Sequence, residues 1–114
     1  MNVTREDKGD VVVLRLQGHL IDAPEGGDPI GDAVHQAMGE GKHKILLDLH
    51  EVPFLSSTGL GVLVANYTRL KREGGTLRFL KPSRRVRSLF PLVAPLFQYF
   101  EDERVALESF EHDE

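Results

Sequence analysis

The stretch Lys44 to Leu49, KILLDL, is a short and nearly continuous apolar run. Such a run belongs to a strand covered on both faces, because a strand with one wet face would alternate polar and apolar residues. On either side of it the period changes. Ile30, Ala33, Val34, Ala37 and Met38 recur at helical spacing, opened by Asp28 as a cap and Pro29 at the first helical position, and stopped by Gly39 and Gly41. Beyond the strand, Leu60, Leu63, Val64, Tyr67 and Leu70 fall at i, i+3, i+4, i+7 and i+10. They form one apolar stripe, with Asn66, Arg69 and Glu73 on the opposite face. This second helix is expected to begin at about Thr58 to Leu60. Lys71 and Arg72 suit its negative end, and Gly74 with Gly75 supplies a left-handed stop.

Val11 to Gly18, VVVLRLQG, begins β-branched and ends in alternation, as a strand with one buried face would. Asn2 to Glu6 is expected to pair with it across a turn at Asp7 to Asp10, and the stretch APEGGDP reads as a loop. TLRFL, Thr76 to Leu80, alternates as a further strand. Ser83 is placed to cap a helix through Val86, Leu89 and Phe90, which Pro91 or Pro95 must bend or end. FQYF reads as a short last strand, and Asp102 to Phe110 as a terminal helix carrying Val105, Leu107 and Phe110. Strand and helix alternate after the opening hairpin, so an α/β architecture is expected, a mixed sheet with helices packed against it.

The 114 residues suit a single domain over residues 1–114, with one modest core. Apolar residues at 40% and charged residues at 28% are the proportions of an ordinary globular chain. The apolar runs are too short to cross a bilayer, and the polar start MNVTREDKGD lacks the pattern of a secretion leader, so the expected compartment is the cytosol. Cysteine is absent, which excludes disulfides, thiolate metal sites and thiol nucleophiles. A net charge of −4 argues against a general affinity for nucleic acid.

Between the buried-type strand and the second helix stands FLSSTGLG, Phe54 to Gly61, with three consecutive hydroxyl residues beside two glycines. One hydroxyl is explained as a helix cap, worth about 1 kcal/mol. The others are not, and each glycine in a first helical turn costs up to about 1 kcal/mol relative to alanine. The glycines suggest that something approaches the backbone closely. A nucleophile elbow requires GxSxG, but Leu55 stands at the first glycine position around Ser57, and no Asp and His complete a triad by spacing. A dinucleotide fingerprint requires GxGxxG, and Gly59-Leu60-Gly61 is followed by Val64 where the third small residue belongs. GEGK, Gly39 to Lys42, lacks the first glycine of a phosphate-cradling loop, and no Ser or Thr follows Lys42. A third reading is a phosphoacceptor serine at a helix start. Its phosphate would be partly satisfied by the helix amides, while a partner docked flat on the glycines would be repelled.

SSTGLGVLVANYTRLKREGGTLRFL resembles the STAS domain, in particular the single-domain bacterial anti-sigma factor antagonists, whose signature is Asp-Ser-Ser/Thr-Gly-Leu-Gly at this junction. LRLQGHL, KILLDLHEVPFL and VRSLFPLV extend the resemblance over nearly the whole chain. It implies a STAS-type fold, a mixed, mostly parallel sheet of about four to five strands with about four helices packed mainly on one side. It also implies a non-enzymatic regulator without cofactor or metal, a monomer or weak homodimer that binds neither nucleic acid nor membrane. The implied partners are an anti-sigma factor with serine-kinase activity, sequestered by the unphosphorylated form so that a sigma factor is freed, and a metal-dependent serine phosphatase. An alternative within the family is a scaffold or subunit of another signalling or lipid-transport complex without a phospho-switch.

By the resemblance, Ser57 takes the acceptor position, with Thr58 as second choice, and Gly59, Leu60 and Gly61 form the helix entrance of the partner-binding surface. Ser56 stands where the family usually has aspartate, which removes a negative charge beside the acceptor. The family's Gly-Glu-Leu-Asp segment reads Gly18-His19-Leu20-Ile21-Asp22, so Asp22 is the carried-over acid, one position late. His19, His35, His43, His50 and His112 show no metal-ligand spacing and are expected on the surface. KPSRRVR, Lys81 to Arg87, is a basic patch read as a solvated helix face. Tyr67 is expected in the core, and the acidic EHDE end is expected to fray.

Overall fold

A tight turn at Gly9 and Asp10, with Gly9 at φ 65°, folds Asn2–Lys8 (β1) back on Val11–Gln17 (β2) as an antiparallel pair. The computed structural model describes residues 2–18, 28–92 and 97–112, and His19, Leu20, Ile21, Asp22, most of APEGGDP, Pro95 and the last two residues lie outside them. From β2 the sheet grows in chain order by parallel pairing, through Lys44–Glu51 (β3) and Thr76–Leu80 (β4) to Tyr99–Phe100 (β5). Pro29–Gly39 (α1), Ser57–Arg72 (α2) and the short Arg84–Arg87 (α3) lie between successive parallel strands. Parallel crossovers share one hand, so three steps in the same direction across a sheet bring their helices to the same face. Glu103–Ser109 (α4) follows the last strand and covers the other face.

The two faces of β3 go to two cores, which explains the missing alternation of KILLDL. Ile45, Leu47 and Leu49 join Val12, Leu14, Leu77 and Phe79 beneath α1 and α2, where Ile30, Val34, Leu60, Leu63 and Leu70 close the layer. Phe79, Phe90 and Phe97 pack ring against ring at centroid distances of 4.5–5.5 Å, with Tyr67 5.6 Å from Phe97, as expected of a core tyrosine. Leu46 turns the other way, with Val11, Val13 and Leu80, towards Ala106 and Phe110.

Polar side chains pin α4 to this second face at both ends. Arg15 on β2 donates to Glu6, Asp48 and Glu103 at 2.7–3.0 Å, and the hydrogen bonds to these carboxylates, Glu103 foremost, raise its pKa. Arg78 on β4 donates to Gln98 at 2.7 Å and Ser109 at 3.3 Å, and stacks 4.8 Å from the Phe110 ring centroid. On the opposite edge Arg5 pairs with Asp7 and Glu40, and with Lys42 it holds the Asp7 carboxyl well below the usual carboxylate range.

Several element boundaries differ from the sequence expectation. β1 runs on to Lys8, β3 to Glu51, and α2 starts one residue earlier than expected, at Ser57. Ser83 caps α3 as expected, but the helix ends at Arg87 and the chain tightens into a 3₁₀ turn at Phe90–Leu92, so Leu89 and Phe90 are not on a regular helix. On α4, Val105 is 45% exposed while Ala106 is buried, because so short a helix offers the sheet one narrow edge.

The main correction concerns α2. Asn66, expected on the solvent face, is 2% exposed. Its Nδ2 donates to Asp28 Oδ2 at 3.1 Å and to the Val62 carbonyl at 2.9 Å, and its Oδ1 accepts from Arg69 at 2.9 Å. Arg69 also donates to the Gly31 carbonyl at 3.1 Å. Asp28 meanwhile caps α1 through Oδ1, accepting from Ile30 N at 3.1 Å. A side chain at Gly31 would meet Asp28 Oδ2 at 2.6 Å, so the junction admits only glycine there without rearrangement. Removing a partner from such a buried polar set costs about 1–3 kcal/mol. Asn66→Ala should therefore lower unfolding stability by that amount in urea denaturation, whereas Glu73→Ala, exposed at the end of α2, should stay within about 0.5 kcal/mol of wild type.

Candidate functional site

The chain leaves β3 at Glu51 and reaches α2 in five residues, anchored inward by Val52 and Leu55, at 1% and 5% exposure. These two apolar anchors hold the helix entrance over the carboxyl end of the parallel strands, the end at which open α/β sheets present their binding residues. Ser56 is the cap, with extended backbone angles, and its Oγ accepts from Gly59 N at 3.0 Å. Its carbonyl also accepts the first helical bond, from Leu60 N at 2.8 Å. Ser56 thus supplies the cap of α2 without a charge.

With the cap supplied by Ser56, Ser57 is the first helical residue, exposed, and its hydroxyl makes no side-chain hydrogen bond among the described residues. Thr58 is also exposed. Gly59 and Leu60 face inward, Leu60 packing in the main core, so of the two glycines Gly61 is the one on the surface. A Cβ placed on Gly61 would meet nothing within 4 Å. No contact among the described residues accounts for a glycine there.

A surface feature escaped the sequence reading. Thr58, Gly61, Ala65 and Thr68 are all exposed and follow one another at steps of 3, 4 and 3 residues, so they form one outward line along α2. The line is small and uncharged in a chain with 28% charged residues. The signal was present in the helical spacing, but it is defined only once α1 has claimed Asn66 and Arg69 and thereby shifted the wet face around the helix.

The basic segment Lys81 to Arg87 lies at the same end of the sheet. Lys81, Arg84 and Arg85 are exposed, and the Arg85 guanidinium sits 5.2 Å from the centroid of the Phe54 ring, three residues before Ser57. Asp22 lies outside the described residues. A polar cleft of about 450 Å³, lined by His43, Lys44, Lys71, Gly74, Gly75, Thr76 and Arg78, occupies the opposite, amino end of the strands. Its cations have structural employment: Lys44 pairs with Asp10, Arg78 holds α4 and Lys71 lies at the negative end of α2. His35 and His50 are exposed, whereas His43 is half-buried beside this cleft, unlike the surface position expected for it. Among the described residues no group of three or more His, Asp or Glu side chains is placed to hold a metal ion, and no helix is long and apolar enough to cross a membrane.

A family model for the STAS domain matches residues 2–101. The chain belongs to the STAS domain family. Among solved structures, this STAS chain is similar to the unphosphorylated form of the anti-sigma factor antagonist SpoIIAA, with TM-score 0.74 and 22% identity, covering 98% of this chain and 100% of that one. The phosphorylated form of the Bacillus cell fate determinant SpoIIAA matches with TM-score 0.70 and 23% identity over 95% of this chain and 99% of that one. An anti-sigma factor antagonist from Mycobacterium paratuberculosis matches with TM-score 0.74 and 23% identity over 95% and 92%. The expected architecture is therefore the observed one, which among the described residues is a five-stranded mixed sheet, mostly parallel, with four α-helices in a SpoIIAA-like arrangement.

The division of labour between the two serines is testable by stability alone. Ser56→Ala removes the hydroxyl bonded to Gly59 N and should cost about 1 kcal/mol in chemical denaturation. Ser57→Ala should leave stability within about 0.5 kcal/mol of wild type.

Proposed function

We propose that this STAS domain is an anti-sigma factor antagonist whose binding to a serine-kinase anti-sigma factor is switched off by phosphorylation of Ser57. The observation that carries this reading is that Ser57 is exposed at the start of α2 and relieved of capping by Ser56, at the head of the uncharged line Thr58, Gly61, Ala65 and Thr68. A partner helix or loop can lie close against such a line, and Gly61, which costs the free protein stability, is accounted for by that approach. A phosphate on Ser57 adds about −1.5 to −2 charges at the head of the contact. The folded chain tolerates it, since the hydroxyl points away from the core and the amides and dipole of α2 favour an anion. A docked partner has to desolvate it. In this reading the domain is a binding protein rather than an enzyme, and a metal-dependent serine phosphatase restores the active form.

Incubation with ATP and the serine-kinase anti-sigma factor encoded nearest its gene should place phosphate on Ser57 by mass spectrometry. The modified form should bind that kinase at least tenfold more weakly, about 1.4 kcal/mol. Ser57→Ala should bind and resist inactivation, and Ser57→Asp should bind less well than wild type. An unmodified Ser57 with undiminished binding would overturn the switch and leave a constitutive STAS scaffold.

Gly61→Ala separates the docking surface from the modification. It should raise the stability of the free protein by up to about 1 kcal/mol and, because a methyl enters the contact, weaken kinase binding. A stabilised variant with unchanged affinity would remove α2's outward line from the interface.

A further inference from the structure

The cations of this chain are distributed unevenly between paired and unpaired. Arg5, Lys8, Arg15, Lys42, Lys44, Arg87 and Arg104 pair with carboxylates, Arg69 is held by uncharged hydrogen-bond acceptors, and Arg78 donates to Gln98 and Ser109. Lys71 and Arg72 have no ion pair among the described residues, but they stand in the last turn of α2, where the helix dipole favours them. Lys81, Arg84 and Arg85 have no ion pair among the described residues. Arg84 and Arg85 lie exposed on the single turn of α3.

We infer that Arg85 is the built-in counter-ion of a phosphate on Ser57, exchanging its seat over Phe54 for a charge-assisted pair with the phosphate oxygens. Three observations converge on Arg85 rather than its neighbours. Its guanidinium already lies 5.2 Å from the Phe54 ring centroid, so the side chain points from α3 towards the segment that enters α2. Phe54 precedes Ser57 by three residues, so the two positions are at most about 10 Å apart along the backbone. The present interaction is weak and uncompeted: a cation–π contact at an exposed site is worth about 0.5–1 kcal/mol, and no carboxylate among the described residues holds Arg85. A guanidinium–phosphate pair is stronger and bidentate. The consequence is a second effect of modification, since withdrawal of Arg85 from the Phe54 ring changes the surface beside α2.

This inference rests on Ser57 as the modified residue, but its test does not depend on a kinase. Phosphoserine is installed at position 57 during translation in otherwise wild-type full-length protein, and its second ionisation is followed by ³¹P NMR at low salt. An ordinary phosphoserine titrates near about 6. In the wild-type background the value should be lower by about half a unit or more, and Arg85→Gln should abolish most of that shift. Arg104→Gln, which removes the same charge from an exposed side chain on α4 across the sheet, should leave the shift in place. An equal value in the wild-type and Arg85→Gln backgrounds, or equal effects of Arg85→Gln and Arg104→Gln, would overturn the inference. A kinase that ignored Ser57 would refute the proposed switch and leave this result standing.

Discussion

Burial of β3 on both faces is the constraint from which the rest of the molecule follows. Ile45, Leu47 and Leu49 require one apolar layer and Leu46 another, so the chain has to supply helices to both sides of the strand. Three crossovers in one direction deliver α1, α2 and α3 to the first side, and α4 is left to close the second. That closure is thin. It relies on Ala106, Phe110 and the two arginines, Arg15 and Arg78, that reach α4 from the sheet. Because α2 must cover β3 and its neighbour β4, its amino end is forced to the carboxyl edge of the sheet. Ser57 stands there as a result.

The junction between α1 and α2 then sets the orientation of the candidate site. Asp28 satisfies the first turn of α1 with one oxygen and Asn66 with the other, and Arg69 ties Asn66 to the Gly31 carbonyl. These bonds fix the roll of α2 about its axis. A helix so held presents Ser57, Thr58, Gly61, Ala65 and Thr68 to solvent, while Gly59 and Leu60 turn inward. The two halves of the STGLG motif therefore do different work: the outward residues form a surface, and the inward ones seat the helix on the sheet.

Much of this was legible before any coordinates. A period of two or of 3.6 marks β2, α1 and α2, a continuous apolar run marks β3, the Asp28-Pro29 and Ser83 starts behave as capping chemistry requires, and Gly9 and Gly74 take the positive φ that turns demand. The position of Ser57 at a strand-to-helix junction followed from the same patterns. The burial of Asn66 did not, because a polar residue between two apolar positions of a helix looks solvated until a neighbouring helix brings partners for it. The shortening of α3 was likewise obscured, since Val86, Leu89 and Phe90 have helical spacing although the last two belong to a tighter turn.

The amino-acid sequence by itself determined the local structure, the alternation of strand and helix, the family and the hydroxyl cluster, because these depend on interactions within a few residues or on a motif of six. Only the tertiary structure decided which hydroxyl caps and which is free, which face of α2 is wet, and that the basic segment after β4 stands beside the helix start after β3. Those are distances between segments remote along the chain. They are settled by how helices pack on a sheet, through contacts such as Asp28 with Asn66 and Arg85 with Phe54 that no periodicity encodes.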